Sequence, residues 1–303
     1  MGSTKTYAER LGWGPKDRVV IFHVDDVGMS HSSNRGAIQA MEQGVATSCS
    51  IMTPCSWTSE YVHYLKQHPD ADAGMHVTLT SEWSEYRWGP VAGKSRVPGL
   101  VDPEGCLWPD VPEVVEHATV DEVELEMRAQ LDRLLTMGIT PTHLDTHMGT
   151  VFGTIDFAQR YIMIGIEHHI PVFLPGGHNQ YMIETNAIPP GFDPDLVRMV
   201  GEGAWEAGLP VLDDAHITGY DAELDHKLEI YGDVMHRMAP GVIQVIVHAT
   251  DPTDEFQMIT DSGPTRLGDL KVMMDPRFRK VLEDEGIILT TWRELKERRD
   301  AAE

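Results

Sequence analysis

Alternation between apolar, β-branched runs and stretches of helical period is the feature that most constrains how this chain can fold. Eight runs bounded by turn residues read as strands: 19–24, 48–52, 74–79, 143–147, 172–174, 211–212, 242–247 and 287–290. Seven amphipathic segments lie between them: 33–43, 59–67, 120–137, 155–168, 195–207, 222–238 and 268–285. Strands separated by segments long enough to form helices pair in parallel, because a parallel connection must cross over the sheet. Runs such as Val19-Val20-Ile21-Phe22 are apolar at consecutive positions, as strands covered on both faces are. The expectation is an α/β fold of parallel units forming a barrel, with residues 1–303 as one domain.

Local signals support the helical assignments. Thr119 is placed to cap the helix that opens Val120-Asp121-Glu122, an acidic first turn that suits the positive end of the helix dipole, and Gly138 supplies the stop. Two stretches follow no period: 81–112, rich in Gly, Pro and Trp, and 175–194. Both read as excursions at the mouth of the barrel, where parallel β/α folds carry substrate-binding loops. Trp83, Tyr86, Trp88 and Trp108 give the first excursion an aromatic surface. Such rings can pack against the apolar faces of sugars or anchor the loop to the core, and Trp88 is taken as a candidate contact.

Composition removes several function classes. Lys and Arg total 24 against 48 Asp and Glu, a net charge of −24 without a basic patch, so a nucleic-acid partner is not expected. No apolar run approaches the ~20 residues of a membrane span, and the charged first residues resemble no signal peptide. Cys49, Cys55 and Cys106 lack metal-ligand spacing and suit a reducing compartment. A cytoplasmic protein without a membrane partner is expected, and a homodimer is left open.

Polar residues collect where the strands end. The first strand runs into Asp25-Asp26 and Gly28, a pair that could form an Asx turn before Ser30 or carry chemistry. The third holds His76. In the fourth, His143, Asp145 and His147 share one face at a period of two. Ionisable groups on the face of a central strand are strongly penalised unless they are paired or bind something. Asp213-Asp214 follows the sixth run, and His248 and Asp251 follow the seventh. Imidazoles and carboxylates arriving from different strand ends suit one divalent ion, zinc first and magnesium second, with three protein ligands and one open position.

These residues together resemble the YdjC-like carbohydrate deacetylases, the family of chitooligosaccharide deacetylase. The resemblance rests on Asp25-Asp26-Val27-Gly28-Met29 with Asn34, Thr47-Ser48-Cys49-Ser50-Ile51-Met52, Gly74-Met75-His76-Val77-Thr78-Leu79-Thr80, His143-Leu144-Asp145-Thr146-His147 and Val247-His248, and spans 18–295. It implies a deformed (β/α) barrel related to the polysaccharide deacetylases and metal-dependent hydrolysis of an acetyl group from an N-acetylated amino sugar. It further implies Asp26, His76 and His147 as metal ligands, Asp25 as general base and His248 as general acid, with His143 and Asp145 one shell out. Gly149 stands where the family usually has a further His, and Ala249-Thr250 where Pro-Gly is typical. Those departures leave room for a barrel that binds sugars or regulates without catalysis. A metal-dependent esterase or phosphoesterase is the other alternative.

Overall fold

The computed structural model describes residues 5–302 except 190, 218 and 220–223. Positions 222 and 223 of the helix predicted over 222–238, and Pro190 of the second excursion, lie outside the described residues. The chain opens with α1 (Tyr7–Arg10), β1 (Arg18–Val27), α2 (His31–Glu42), β2 (Ser48–Ile51), α3 (Thr58–Gln67) and β3 (Ala73–Val77). It continues with α4 (Val111–His117), α5 (Val120–Thr136), β4 (Leu144–Thr146), α6 (Ile155–His168), α7 (Gln180–Glu184), α8 (Pro194–Glu206) and β5 (Asp214–His216). It closes with α9 (Leu224–Arg237), β6 (Gly241–Val247), α10 (Gly263–Met274), α11 (Pro276–Asp284), β7 (Ile288–Leu289) and α12 (Trp292–Ala301).

The pairings among these seven strands are all parallel, in the order β4-β3-β2-β1-β6-β5, with β7 on β1. β7 pairs with the start of β1, at Val19 and Val20, before β2 takes over that edge from His23 onward. Two predicted strands survive only as single bridges, Leu144 to Val172 and Pro175 to Leu212. These bridges link β4 to the β5 side, so the sheet closes into a deformed (β/α) barrel. Consecutive burial of Val19, Val20, Ile21 and Phe22 matches a strand covered on both faces, each side chain contributing about 1.5–3 kcal/mol.

The helix signals act as read. Thr119 and Glu122 form a reciprocal capping box at the start of α5. Three assignments differ. The predicted helix 268–285 is two helices meeting at Asp275, whose extended backbone before Pro276 ends α10 and whose side chain caps α11. The strand expected at 211–212 begins instead at Asp214, so Asp213-Asp214 opens a strand rather than ending one. The excursion from 81 to 112 carries an antiparallel bridge, Val101 to Leu107, and the start of α4.

Candidate metal centre and active site

Parallel pairing sends every C-terminal strand end to one rim, which gathers Asp25, Asp26, His76, His147 and His248 around one cavity. The decisive local feature is the end of β1. Register against β2 shifts between Val24 and Val27, and Asp26 sits at φ +62°, a left-handed conformation costing an Asp roughly 1–2 kcal/mol. Successive residues of a regular strand point to opposite faces, whereas this bulge turns both carboxylates to the cavity. Gly28 completes the turn at φ +86°, donating its amide to Asn34 Oδ1 at 2.7 Å. A Cβ there would lie 2.8 Å from Thr58 Oγ1.

Asp26 Oδ1 lies 3.3 Å from His76 Nε2 and 3.2 Å from His147 Nδ1. Neither ring nitrogen is aligned to donate to it, so this buried oxygen has no hydrogen-bond partner. Each imidazole has a carboxylate at its far nitrogen. Asp145 Oδ1 is 2.8 Å from His76 Nδ1, and Glu82 Oε2 is 3.0 Å from His147 Nε2. Those carboxylates engage the far nitrogen of each ring and turn His76 Nε2 and His147 Nδ1 toward Asp26. An orphaned carboxylate oxygen and two imidazole nitrogens, converging from three strand ends, fit a divalent ion with a further position open to the cavity.

Outer partners hold this cluster in place. The Cα positions of His76 and Asp145 are paired across β3 and β4, and Ser50 Oγ donates to Asp145 Oδ2 at 2.8 Å. Asp26 Oδ2 accepts from Arg266 at 2.7 Å. Behind Asp25, His23 Nδ1 is 2.7 Å from Asp25 Oδ1 and His23 Nε2 is 2.8 Å from His143 Nε2. The network assigns His23 as donor to Asp25 and His143 as donor to His23. His143 stacks on Trp292 with ring centroids 5.0 Å apart and lies against Gly74, where a Cβ would approach its ring to 2.5 Å.

Electrostatics mark a site built for positive charge. Burial raises the Asp26 carboxyl, but the Arg266 guanidinium and then His147 and His76 hold it well below the usual carboxylate range. Burial lowers both imidazoles, yet Asp145 and Asp25 drive His76 upward, and Glu82 ahead of Asp26 brings His147 to about 9. A divalent ion would take the place of those protons. Burial, followed by His23, depresses His143 and keeps it neutral. At His248, burial and Arg266 prevail over Asp26, whose Oδ2 is 3.9 Å from Nε2, and favour the neutral ring.

The structure brings Asp25, Asp26, His76, His147 and His248 together, with Asp145 against His76 and His143 behind His23. Trp88 stands apart from the cavity: it is buried, donates from Nε1 to Thr80 O at 2.9 Å, and packs behind His147. Tyr86 likewise donates to Met29 O at 2.6 Å, so both rings anchor the excursion. Asp213 accepts the amides of Tyr7, Ala8 and Val242, and Asp214 those of Tyr181 and Met182, at the opposite end of the strands from the centre. Asp251 pairs with Arg35. Gly149 has φ +67° beside Met148 at +53°, a kinked turn lining the cavity. Sequence reading missed His23, Ser50, Glu82 and Arg266. Two carried a signal: His23 lies two residues before Asp25 on the same strand face, and Ser50 stands within the Thr47 to Met52 motif of the resemblance.

A parallel barrel with a His/Asp cluster at its rim defines the class to which known proteins can be compared. The sequence matches the YdjC-like protein family over residues 19–284 and belongs to it. A carbohydrate deacetylase of Thermus thermophilus is 32% identical over 290 residues, covering 95% of this chain and 97% of that protein. One from Brevibacillus brevis is 34% identical over 276 residues, covering 91% and 99%. Among solved structures, a putative cellobiose-phosphate cleavage protein of Enterococcus faecalis has the same fold, with a TM-score of 0.77 at 19% identity, covering 92% of this chain and 99% of that one.

Proposed function

We propose that this protein is a metal-dependent hydrolase that removes acetyl groups from N-acetylated amino sugars or short chitooligosaccharides in the cytoplasm. The observation carrying the proposal is the triad Asp26, His76 and His147, with a carboxylate behind each imidazole and a second aspartate, Asp25, beside it. Asp26, His76 and His147 would hold one divalent ion, zinc by preference and magnesium as the alternative. When bound, the ion supplies Lewis-acid polarisation of the acyl carbonyl and lowers the pKa of water. Asp25, oriented by His23, accepts the proton of the attacking water. As the carbon–nitrogen bond breaks, His248 delivers a proton to the departing amine. The His248 ring is neutral at rest, so the proton it delivers is the one that Asp25 takes from the attacking water, passed on within the site.

Relatives named carbohydrate deacetylases support an acetylated sugar as substrate. The test is acetate release from N-acetylglucosamine and its oligomers, comparing chelator-treated protein with protein resupplied with zinc or magnesium. Release restored by metal supports the reading. Saccharide binding without release would favour a non-catalytic barrel, and hydrolysis confined to chromogenic esters would favour an esterase.

A further inference from the structure

The cavity that opens on the metal centre is too apolar for a sugar oligomer alone. Its volume is about 990 Å³, at the upper end of small-molecule sites. Beyond the residues of the centre, only Thr146, Gln159 and Asn179 among the described lining residues offer side chains that hydrogen-bond. Each ring of an oligosaccharide carries hydroxyls that would lose water here without replacement partners.

The apolar lining is organised. On α6, Ile155, Ile162, Met163 and Ile166 form a stripe at i, i+7, i+8 and i+11, separate from the face that buries Phe157, Tyr161 and Ile164 in the core. Leu196, Val197 and Val200 make a corresponding stripe on α8. Phe173 and Leu174, from the segment that closes the barrel, line the same cavity. Exposed apolar side chains also gather there: Met148, Ile155 and Met163 are 47%, 52% and 40% exposed. Such clustering next to a reactive centre marks a surface that a ligand covers.

We infer that the substrate is amphipathic: its acylated amino sugar sits at the metal centre and an extended hydrocarbon chain fills the cavity between α6 and α8. This rests on the hydrolase reading of the centre and names the substrate class it serves. The hydrocarbon could enter on the acyl side, as a long N-acyl group, or on the glycosidic side, as an apolar aglycone.

Calorimetric titration of the metal-loaded protein with two series, below their micelle concentrations, tests the inference. One series is methyl, butyl and octyl N-acetyl-β-glucosaminide; the other is N-acetyl-, N-butanoyl- and N-octanoylglucosamine. In one series, Kd is expected to fall by up to about fourfold per methylene until the cavity is full. The series that responds identifies the side on which the hydrocarbon enters. A variant adds a second readout. Gly203 of α8 lines the cavity and an added Cβ there meets nothing within 4 Å, so Gly203→Phe should shorten the optimal chain while leaving the shortest homologue's affinity unchanged. Kd independent of chain length in both series would overturn the inference, even if diacetylchitobiose is deacetylated. Chain-length-dependent binding without hydrolysis would uphold it and defeat the hydrolase reading instead.

Discussion

Replacing Asp145 by Asn tests whether the carboxylate behind His76 prepares that imidazole for a metal. Asp145 lies 2.8 Å from His76 Nδ1 and 2.8 Å from Ser50 Oγ, with His23 Nε2 at 3.5 Å. Asparagine keeps one acceptor oxygen and nearly the same volume, so the contact with His76 survives as a neutral hydrogen bond. A bond to an ionised acceptor contributes about 1.5–3 kcal/mol, and a neutral one about 0.5–1.5 kcal/mol. The difference, about 1–1.5 kcal/mol, corresponds to roughly tenfold in affinity. That is the lower end of the ~10–100-fold effect of outer partners on metal binding. Zinc affinity should be measured by competition with a chromogenic chelator, alongside circular dichroism to verify folding. A folded Asp145→Asn protein that binds zinc within twofold of the wild type would refute the argument.

Two further outcomes follow from the packing. Trp88→Ala removes a buried ring that ties the excursion to Thr80 O, and should lower stability to urea by about 3–5 kcal/mol; unchanged stability with a raised KM would instead make Trp88 a sugar contact. His216, 5% exposed at the end of β5, is held by burial at about 4, below its unfolded value of ~6.5. The unfolded state therefore binds the proton first, so the stabilisation is complete above pH ~6.5 and is lost as pH falls toward 4, by about 3 kcal/mol in all. Unfolding free energies of wild type and His216→Gln across that window should differ in slope; parallel curves would contradict this.

The barrel was legible because β/α alternation carries its own topology: strands joined by helices run parallel, and parallel strands share one functional rim. The donors at that rim could be named for the same reason. Their convergence on one ion was implied by the family resemblance, but its geometric cause, the bulge that sets Asp26 at φ +62°, was not legible, with Gly28 as its only local sign. Arg266 reaches Asp26 across 240 residues from the first turn of α10, and Glu82 lies in a segment without period, so neither announces its role. The shift of β5 to Asp214 was hidden because its acidic start is stabilised by the amides that open α7. Helix α12 has no extended apolar stripe; Trp292, Leu295 and the buried Arg299, which donates to Trp205 O, tie a charged segment to the core. The break at Asp275-Pro276 is readable in the sequence, because proline disfavours helical backbone at the residue before it.

The central claim is that Asp26 binds the metal and its neighbour Asp25 moves the proton, and both roles can be measured in one comparison. Metal content and acetate release should be determined together for the wild type, Asp25→Asn and Asp26→Asn. The geometry predicts one equivalent of metal in the wild type and in Asp25→Asn, with turnover in the latter lowered by roughly 10²–10⁴-fold. Asp26→Asn should lose metal, since a neutral amide is a poorer ligand than a carboxylate and cannot balance Arg266. Full metal occupancy in Asp26→Asn, or normal turnover in a fully loaded Asp25→Asn protein, would contradict the assignment.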